Sequence, residues 1–180
     1  CSSLREITIP DSVTSIGDKA FSDCYSLQRI TIPDSVTSIG DKAFYGCSSL
    51  QQIAIPDSVT SIGGGAFSAC LSLQQIISDS PLFVAINNML IDVKRKMLLA
   101  YYGSDTKVSI PNFITCIDYE AFSCCLDLQQ IILSNSINNI APFAFNSCPS
   151  LREIVIPKGS KDKFMKMREL IFEQDKLIEK

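Results

Sequence analysis

The sequence contains no histidine, the side chain that proteins use most often as a general base and as a metal ligand. It has no Cys-x-x-Cys pair, so a structural zinc site has no support. Nucleophile-elbow, phosphate-loop and dinucleotide-binding motifs are missing as well. We therefore predict a protein that is not an enzyme and that uses no metal and no cofactor.

Two partner classes are also disfavoured. The chain has 16 basic and 19 acidic residues, a net charge of −3, and no large basic cluster, whereas nucleic-acid binding needs clustered Lys and Arg. Its apolar runs are far shorter than the roughly 20 residues that span a bilayer. We expect neither a nucleic-acid partner nor membrane insertion. The composition, 46% hydrophobic and 19% charged, suits a folded domain.

What the sequence does have is a repeat. Cys1, Cys24, Cys47 and Cys70 follow one another at 23-residue intervals, and Cys125 and Cys148 are separated by 23 residues again. Around these cysteines recurs the phrase Cys-x-x-Leu-x-x-Ile-x-Ile-Pro-x-x-Val-x-x-Ile-Gly-x-x-Ala-Phe. A fixed period of about 20–29 residues with Leu-x-x-Ile-x-Ile predicts a leucine-rich-repeat solenoid. We assign residues 1–157 to about six coils.

The first coil shows how each phrase should fold. The alternation in Leu4–Ile9 predicts a short strand with one buried face, and Pro10 ends it by removing a backbone donor. Val13–Ile16 predicts a second short strand on the opposite side of the coil. Ala20-Phe21 then directs a phenylalanine into the interior. Because each coil repeats this pattern, the apolar residues should form continuous buried columns.

The repeat fails in coil four and after coil six. We interpret residues 78–109 as an insertion carrying three short strands, Phe83–Ile86, Met89–Asp92 and Met97–Tyr101, which form a β-meander riding on the solenoid. Such insertions often lie on the binding face.

After Pro157, four apolar residues fall at helical spacing with charged residues between them: Phe164, Met167, Ile171 and Ile178. We expect residues 158–180 to form a helical cap over the last coil. A helix that binds a partner or a membrane surface is the alternative, and its mixed charge argues against an anionic membrane.

Six of the eight cysteines share one repeat position, so their Cβ vectors should be parallel, and a disulfide needs them to face each other. We predict a column of buried free thiols. Cys1 could instead be a lipidated amino terminus. The chain opens inside a repeat phrase with no capping segment before it, and we expect it to be part of a longer protein.

Asp11, Asp34 and Asp57 also share one repeat position, just after the strand-ending proline. A column of carboxylates could bind calcium. We favour the alternative that each aspartate belongs to its own turn, because the acids vanish in later coils.

The outward face of the first strands is the candidate binding surface. One outward column reads Glu6, Arg29, Gln52, Gln75, Gln130 and Glu153, and the next reads Thr8, Thr31, Ala54, Ile77, Ile132 and Val155. The second column changes from hydroxyl groups to aliphatic side chains, and a contiguous apolar stripe often marks an interaction site. We predict that a ligand contacts Gln52, Ala54, Gln75, Ile77, Gln130, Ile132, Glu153 and Val155 on the concave strand face. The alternative is that the meander or the terminal helix covers this stripe.

The segment Ile9–Phe21, repeated at Ile32–Phe44, resembles the BspA-like class of leucine-rich repeats, and Ile55–Phe67 differs only in Gly-Gly for Asp-Lys. The resemblance covers essentially the whole chain. It implies a secreted or cell-surface bacterial protein, non-enzymatic, that adheres to a host-matrix or cell-surface protein or to a glycan. A spacer within a longer surface protein and an intracellular scaffold are the alternatives.

Overall fold

Each repeat phrase forms one coil of a solenoid, because its alternating apolar residues are buried only when coils stack on one another. The computed structural model describes residues 1, 3–167 and 175–180, and it contains about seven coils at the 23-residue spacing. A typical coil has a first strand, a short second strand and a tight corner. All the pairs between equivalent strands of successive coils are parallel.

The first strands of the seven coils are β1 Glu6–Thr8, β3 Arg29–Thr31, β5 Gln52–Ile55, β7 Gln75–Ser78, β11 Lys107–Ser109, β13 Gln130–Ile132 and β15 Glu153–Ile156. The second strands are β2 Ser15–Ile16, β4 Ser38–Ile39, β6 Ser61–Ile62, β10 Met97–Tyr101, β12 Cys116–Ile117 and β14 Asn139–Ile140. In the first ladder β1 pairs with β3, β5 with β7, β11 with β13, and β13 with β15. In the second ladder β2, β4 and β6 pair in order, and β10, β12 and β14 pair in order.

The seventh coil is one more than the sequence indicated. Lys107–Ser109, which we assigned to the insertion, pairs in parallel register with β13 and is the first strand of its own coil. This coil begins at Tyr102, which lies 23 residues before Cys125. This coil is not evident from the sequence, because tyrosine replaces the cysteine and Asp105 replaces the leucine of the phrase.

The three predicted meander strands are confirmed, since β8 Phe83–Ile86, β9 Met89–Asp92 and β10 form an antiparallel sheet. Their predicted position on top of the solenoid is wrong. Every residue of β9 and β10 is buried, and β10 also pairs in parallel with β12 of the next coil. The meander is therefore inserted into the stack.

The end of the chain also differs from the prediction of a helix over 158–180. The described helix, α1, is short and spans Lys161–Met165, with Phe164 buried. Leu177–Glu179 is a strand, β16, that pairs in parallel with β15. Ile171 lies outside the described residues. The open edge of β15 offers unpaired backbone groups, and a strand satisfies them where a helix would not.

The interior consists of stacked columns of like residues. The rings of Phe21, Phe44 and Phe67 stack with centroids 5.5 and 5.6 Å apart, and the column resumes with Tyr101 on Phe122 at 5.2 Å. Such offset or stacked pairs add stability beyond the area that they bury.

Five members of the predicted cysteine column are buried beside the phenylalanine column, whereas Cys1 is exposed, and none of the eight cysteines, all of which the structure describes, forms a disulfide. The interior of the solenoid is therefore filled by side chains of the chain itself.

Candidate binding surface

The outward residues of the first strands form a continuous set of columns, which we call the outer strand face. In β5 and β7 the strand register sets Gln52 beside Gln75 and Ala54 beside Ile77, and all four side chains are exposed. The residues between them, such as Ile53 and Ile76, are buried. Period-two alternation therefore brings the predicted residues of the amino-terminal half together.

Sequence reasoning missed two residues of this face. Lys107 lies in register with Gln130, and Ser109 lies in register with Ile132, so both belong to the outward columns. The signal that could have found them is the stretch Val108-Ser109-Ile110-Pro111, which repeats the Ile-x-Ile-Pro end of the other first strands.

The outer strand face is divided into two patches. The amino-terminal patch consists of Gln52, Ala54, Gln75 and Ile77, and the carboxyl-terminal patch consists of Lys107, Ser109, Gln130, Ile132 and Glu153. Among the strands that the structure describes, none pairs β7 with β11, so the ladder stops between the patches. A ligand that contacts both patches must bridge this interruption.

The amino-terminal patch adjoins a groove of about 460 Å³. Five of its eleven lining residues are glutamines and the others include Arg29, Thr31 and the apolar Ile30, Ile32, Ile53 and Ala54; the glutamines are Gln28, Gln51, Gln52, Gln74 and Gln75. The groove opens where β3 and β5 contact each other without belonging to the same hydrogen-bonded sheet. Each glutamine offers both a donor and an acceptor, so this surface suits a polar, uncharged ligand backbone.

In the carboxyl-terminal patch, polar side chains are already paired with other groups of the protein. The side-chain amide of Gln130 donates to the carboxylate of Glu153, and the same carboxylate forms an ion pair with Lys180 at 3.5 Å. These contacts occupy polar groups that a ligand would otherwise use. The strand β16 thus contributes to the patch through the residue that follows it.

The apolar stripe is open to a ligand only in part. Ile77 is 36% exposed, Ile132 is half-buried, and Val155 is only 6% exposed. Val155 lies in register with Ile132 on one side and Ile178 of β16 on the other. The prediction that Val155 presents its side chain to a ligand is therefore wrong, because the last strand extends the sheet beside it.

The meander contributes a smaller surface than the sequence suggested. Because β9 and β10 are buried, its exposed apolar side chains are those of Val84 and Ile86 on β8 and of Val93 in the turn between β9 and β10. These residues remain candidates for ligand contact at one edge of the solenoid.

The aspartates after the prolines each lie in a turn. The Val13 N–H donates to the Pro10 carbonyl at 3.0 Å, which closes a turn around Asp11, and the next two coils repeat this bond. The described part of the chain contains no cluster of three side chains able to hold a metal ion. Within the same residues no helix is long and apolar enough to cross a bilayer.

The sequence profile described as the BspA type leucine rich repeat region matches residues 1–93 and 98–179 in six copies. The chain belongs to the BspA-type leucine-rich repeat family. This family is typically a non-enzymatic scaffold for protein interactions. No curated protein matches the chain.

Two solved structures share this fold. A leucine rich cell surface protein from Faecalibacterium prausnitzii A2-165 is 42% identical with a TM-score of 0.80, and the match covers 86% of this chain and 42% of that one. The pneumococcal vaccine antigen PcpA is 24% identical with a TM-score of 0.75, covering 86% of this chain and 41% of that one, and it shows the fold alone. This chain therefore spans about two fifths of the length of either structure.

Proposed function

We propose that this chain is a non-enzymatic protein-binding module of a bacterial cell-surface or secreted protein, and that it adheres to a host-matrix or cell-surface protein. The observation that carries the proposal is the groove of about 460 Å³ on the outer strand face, whose lining residue Ala54 lies in register with the exposed Ile77. An exposed apolar residue next to a strand that lines a glutamine-rich groove combines an anchor with hydrogen-bonding groups that fix orientation.

The surface localisation in this proposal draws on the family and on its relatives. The Faecalibacterium prausnitzii relative is a leucine rich cell surface protein, and it is the more similar of the two compared in identity and in TM-score. A module of this kind would present its strand face outward from the cell. The meander would add Val84 and Ile86 to the contact.

An array of immobilised extracellular-matrix proteins, with a glycan array beside it, tests the function. We expect saturable binding of the purified chain to one or more matrix proteins. Binding confined to the glycan array would replace the protein ligand by a carbohydrate. An absence of binding on both arrays would overturn the adhesion proposal in favour of a spacer within a longer surface protein.

A further inference from the structure

The solenoid consists of two blocks that meet at coil four. The first ladder stops at β7 and restarts at β11, and the second ladder stops at β6 and restarts at β10. The first ladder is also interrupted between β3 and β5, but these strands still contact each other and the second ladder continues past them through β4 and β6. The buried apolar residues follow the same division. One cluster extends from Ile9 to Ile76 and includes one side of the meander, and the other includes Met89, Ile91 and the coils after Tyr101. We call these the amino-terminal block and the carboxyl-terminal block.

The corner of coil four is two residues shorter than the others. In coil one, four residues separate Ile16, whose carbonyl accepts from Gly40, from Phe21. The equivalent residues of coil four are Leu98 and Tyr101, which make the same bonds to coil five with only two residues between them. Coil four therefore presents no full corner at this edge of the solenoid.

Because that corner is reduced, the corner of coil five lies directly beside that of coil three. A Cβ atom on Gly65 would be 3.3 Å from Oε2 of Glu120, and one on Gly64 would be 3.4 Å from the Cβ of Tyr119. The Ser68 hydroxyl donates to the backbone carbonyl of Glu120 at 2.9 Å. Gly64-Gly65, which replaces Asp-Lys in coil three, thus leaves the space into which the corner of coil five packs.

One ion pair spans this contact between the blocks. The ammonium of Lys42 in coil two lies 3.0 Å from Oε1 of Glu120, which is 78 residues away in the sequence. It also lies over the rings of Tyr45 and Tyr119, 5.0 and 4.9 Å from their centroids. The Glu120 side chain is only 7% exposed, and a carboxylate that is buried this far depends on its partner cation.

The same repeat position in coil one provides a comparison. Lys19 is equivalent to Lys42, but it is exposed and its neighbouring corner is that of coil two, inside the same block. Of these two corner lysines, only Lys42 therefore contacts the other block. Lys42 differs from Lys19 because the Gly64-Gly65 pair lies beside it and leaves the carboxylate of Glu120 within reach.

We propose that Lys42 and Glu120 form a clasp that fixes the orientation of the two blocks relative to each other. When the clasp is removed, the blocks reorient about the meander while each keeps its own fold. Since the two patches of the outer strand face lie on different blocks, the clasp sets the geometry between them. The proposal does not depend on the identity of any ligand.

Residual dipolar couplings of backbone amides in the whole chain test the clasp, using the double variant Lys42→Met/Glu120→Gln, which removes both charges and keeps both stems. In the wild type we expect one alignment tensor to fit both blocks. In the double variant we expect the couplings within each block to fit its unchanged structure while the common tensor is lost. Lys19→Met is the matched control and should keep the common tensor.

A double variant that retains one common tensor would overturn the proposal. Loss of the dispersed spectrum in both blocks would also overturn it, because the proposal requires that each block stay folded. The single variant Glu120→Gln, which leaves no unpaired buried carboxylate, should give the same separation of tensors as the double variant. A common tensor in that variant would contradict the role of the ion pair.

Discussion

The Sγ atom of Cys47 lies 3.2 Å from the backbone carbonyl oxygen of Phe21, and the thiol donates a hydrogen bond to it. The contact spans 26 residues, from the first residue of coil three back to the end of coil one. Cys70 and Cys148 repeat it with Phe44 and Phe122, at 3.2 and 3.0 Å. These three cysteines are therefore small buried donors that join neighbouring turns of the solenoid, in addition to the apolar packing.

Replacing Cys47 by alanine should destabilise the chain. The variant loses one interior hydrogen bond and the buried surface of the sulfur atom, which together contribute about 1–2 kcal/mol to the free energy of unfolding. Urea unfolding followed by circular dichroism measures this difference. Cys116→Ala, at a half-buried position outside the column, should cost less. An equal loss in both variants would show that the thiol contact has no special value.

The cysteine column also makes stability depend on pH. Burial raises the pKa of the Cys47 thiol from its ordinary value of 9.0 to about 12. The folded state therefore holds the proton more tightly, so this stabilisation is full below pH 9 and is lost as the pH rises towards 12. Between pH 8 and pH 10 the wild type should lose about 1.4 kcal/mol more than Cys47→Ala, one pKa unit being worth that amount. Parallel curves for the two proteins would contradict the assignment.

Replacing Gly65 by alanine should destabilise the chain. Its φ is +65°, a conformation that costs an L-residue about 1–2 kcal/mol, and the added Cβ would press on Glu120. We expect Gly65→Ala to lower the free energy of unfolding by at least that amount. Gly17→Ala is the control, since a Cβ there meets no atom within 4 Å. Equal stabilities of the two variants would show that the corner of coil three is not closely packed.

The repeat columns were predictable because each position is defined by several coils at once. The alternation around Ile30 and Ile53 and the phenylalanine at position 44 all recur with the same spacing, so a local ambiguity in one coil is resolved by the next. The same logic failed at Tyr102, where one coil carries neither the cysteine nor the leucine. Its strand Lys107–Ser109 was assigned to the insertion for that reason.

Contacts that depend on the interruption could not be read from the sequence. The pairing of Lys42 with Glu120 requires that coil four lose its corner, which only the strand register shows. The burial of Val155 requires that the end of the chain form a strand beside β15. The helical spacing of Phe164 and Ile178 did not predict this strand. That spacing reports only which side chains share a face, whereas the edge of β15 is satisfied by backbone hydrogen bonds.

The central claim, that the outer strand face binds a protein, is tested most directly at Ile77. The measurement is the affinity of the chain for the matrix protein that it captures on the array, determined by surface plasmon resonance for wild type, Ile77→Glu and Leu126→Glu. Leu126 is also an exposed apolar residue, at 51% against 36% for Ile77, but it lies outside the face. We expect Ile77→Glu to weaken binding by about tenfold or more while Leu126→Glu leaves it unchanged. Wild-type affinity in Ile77→Glu would contradict the claim.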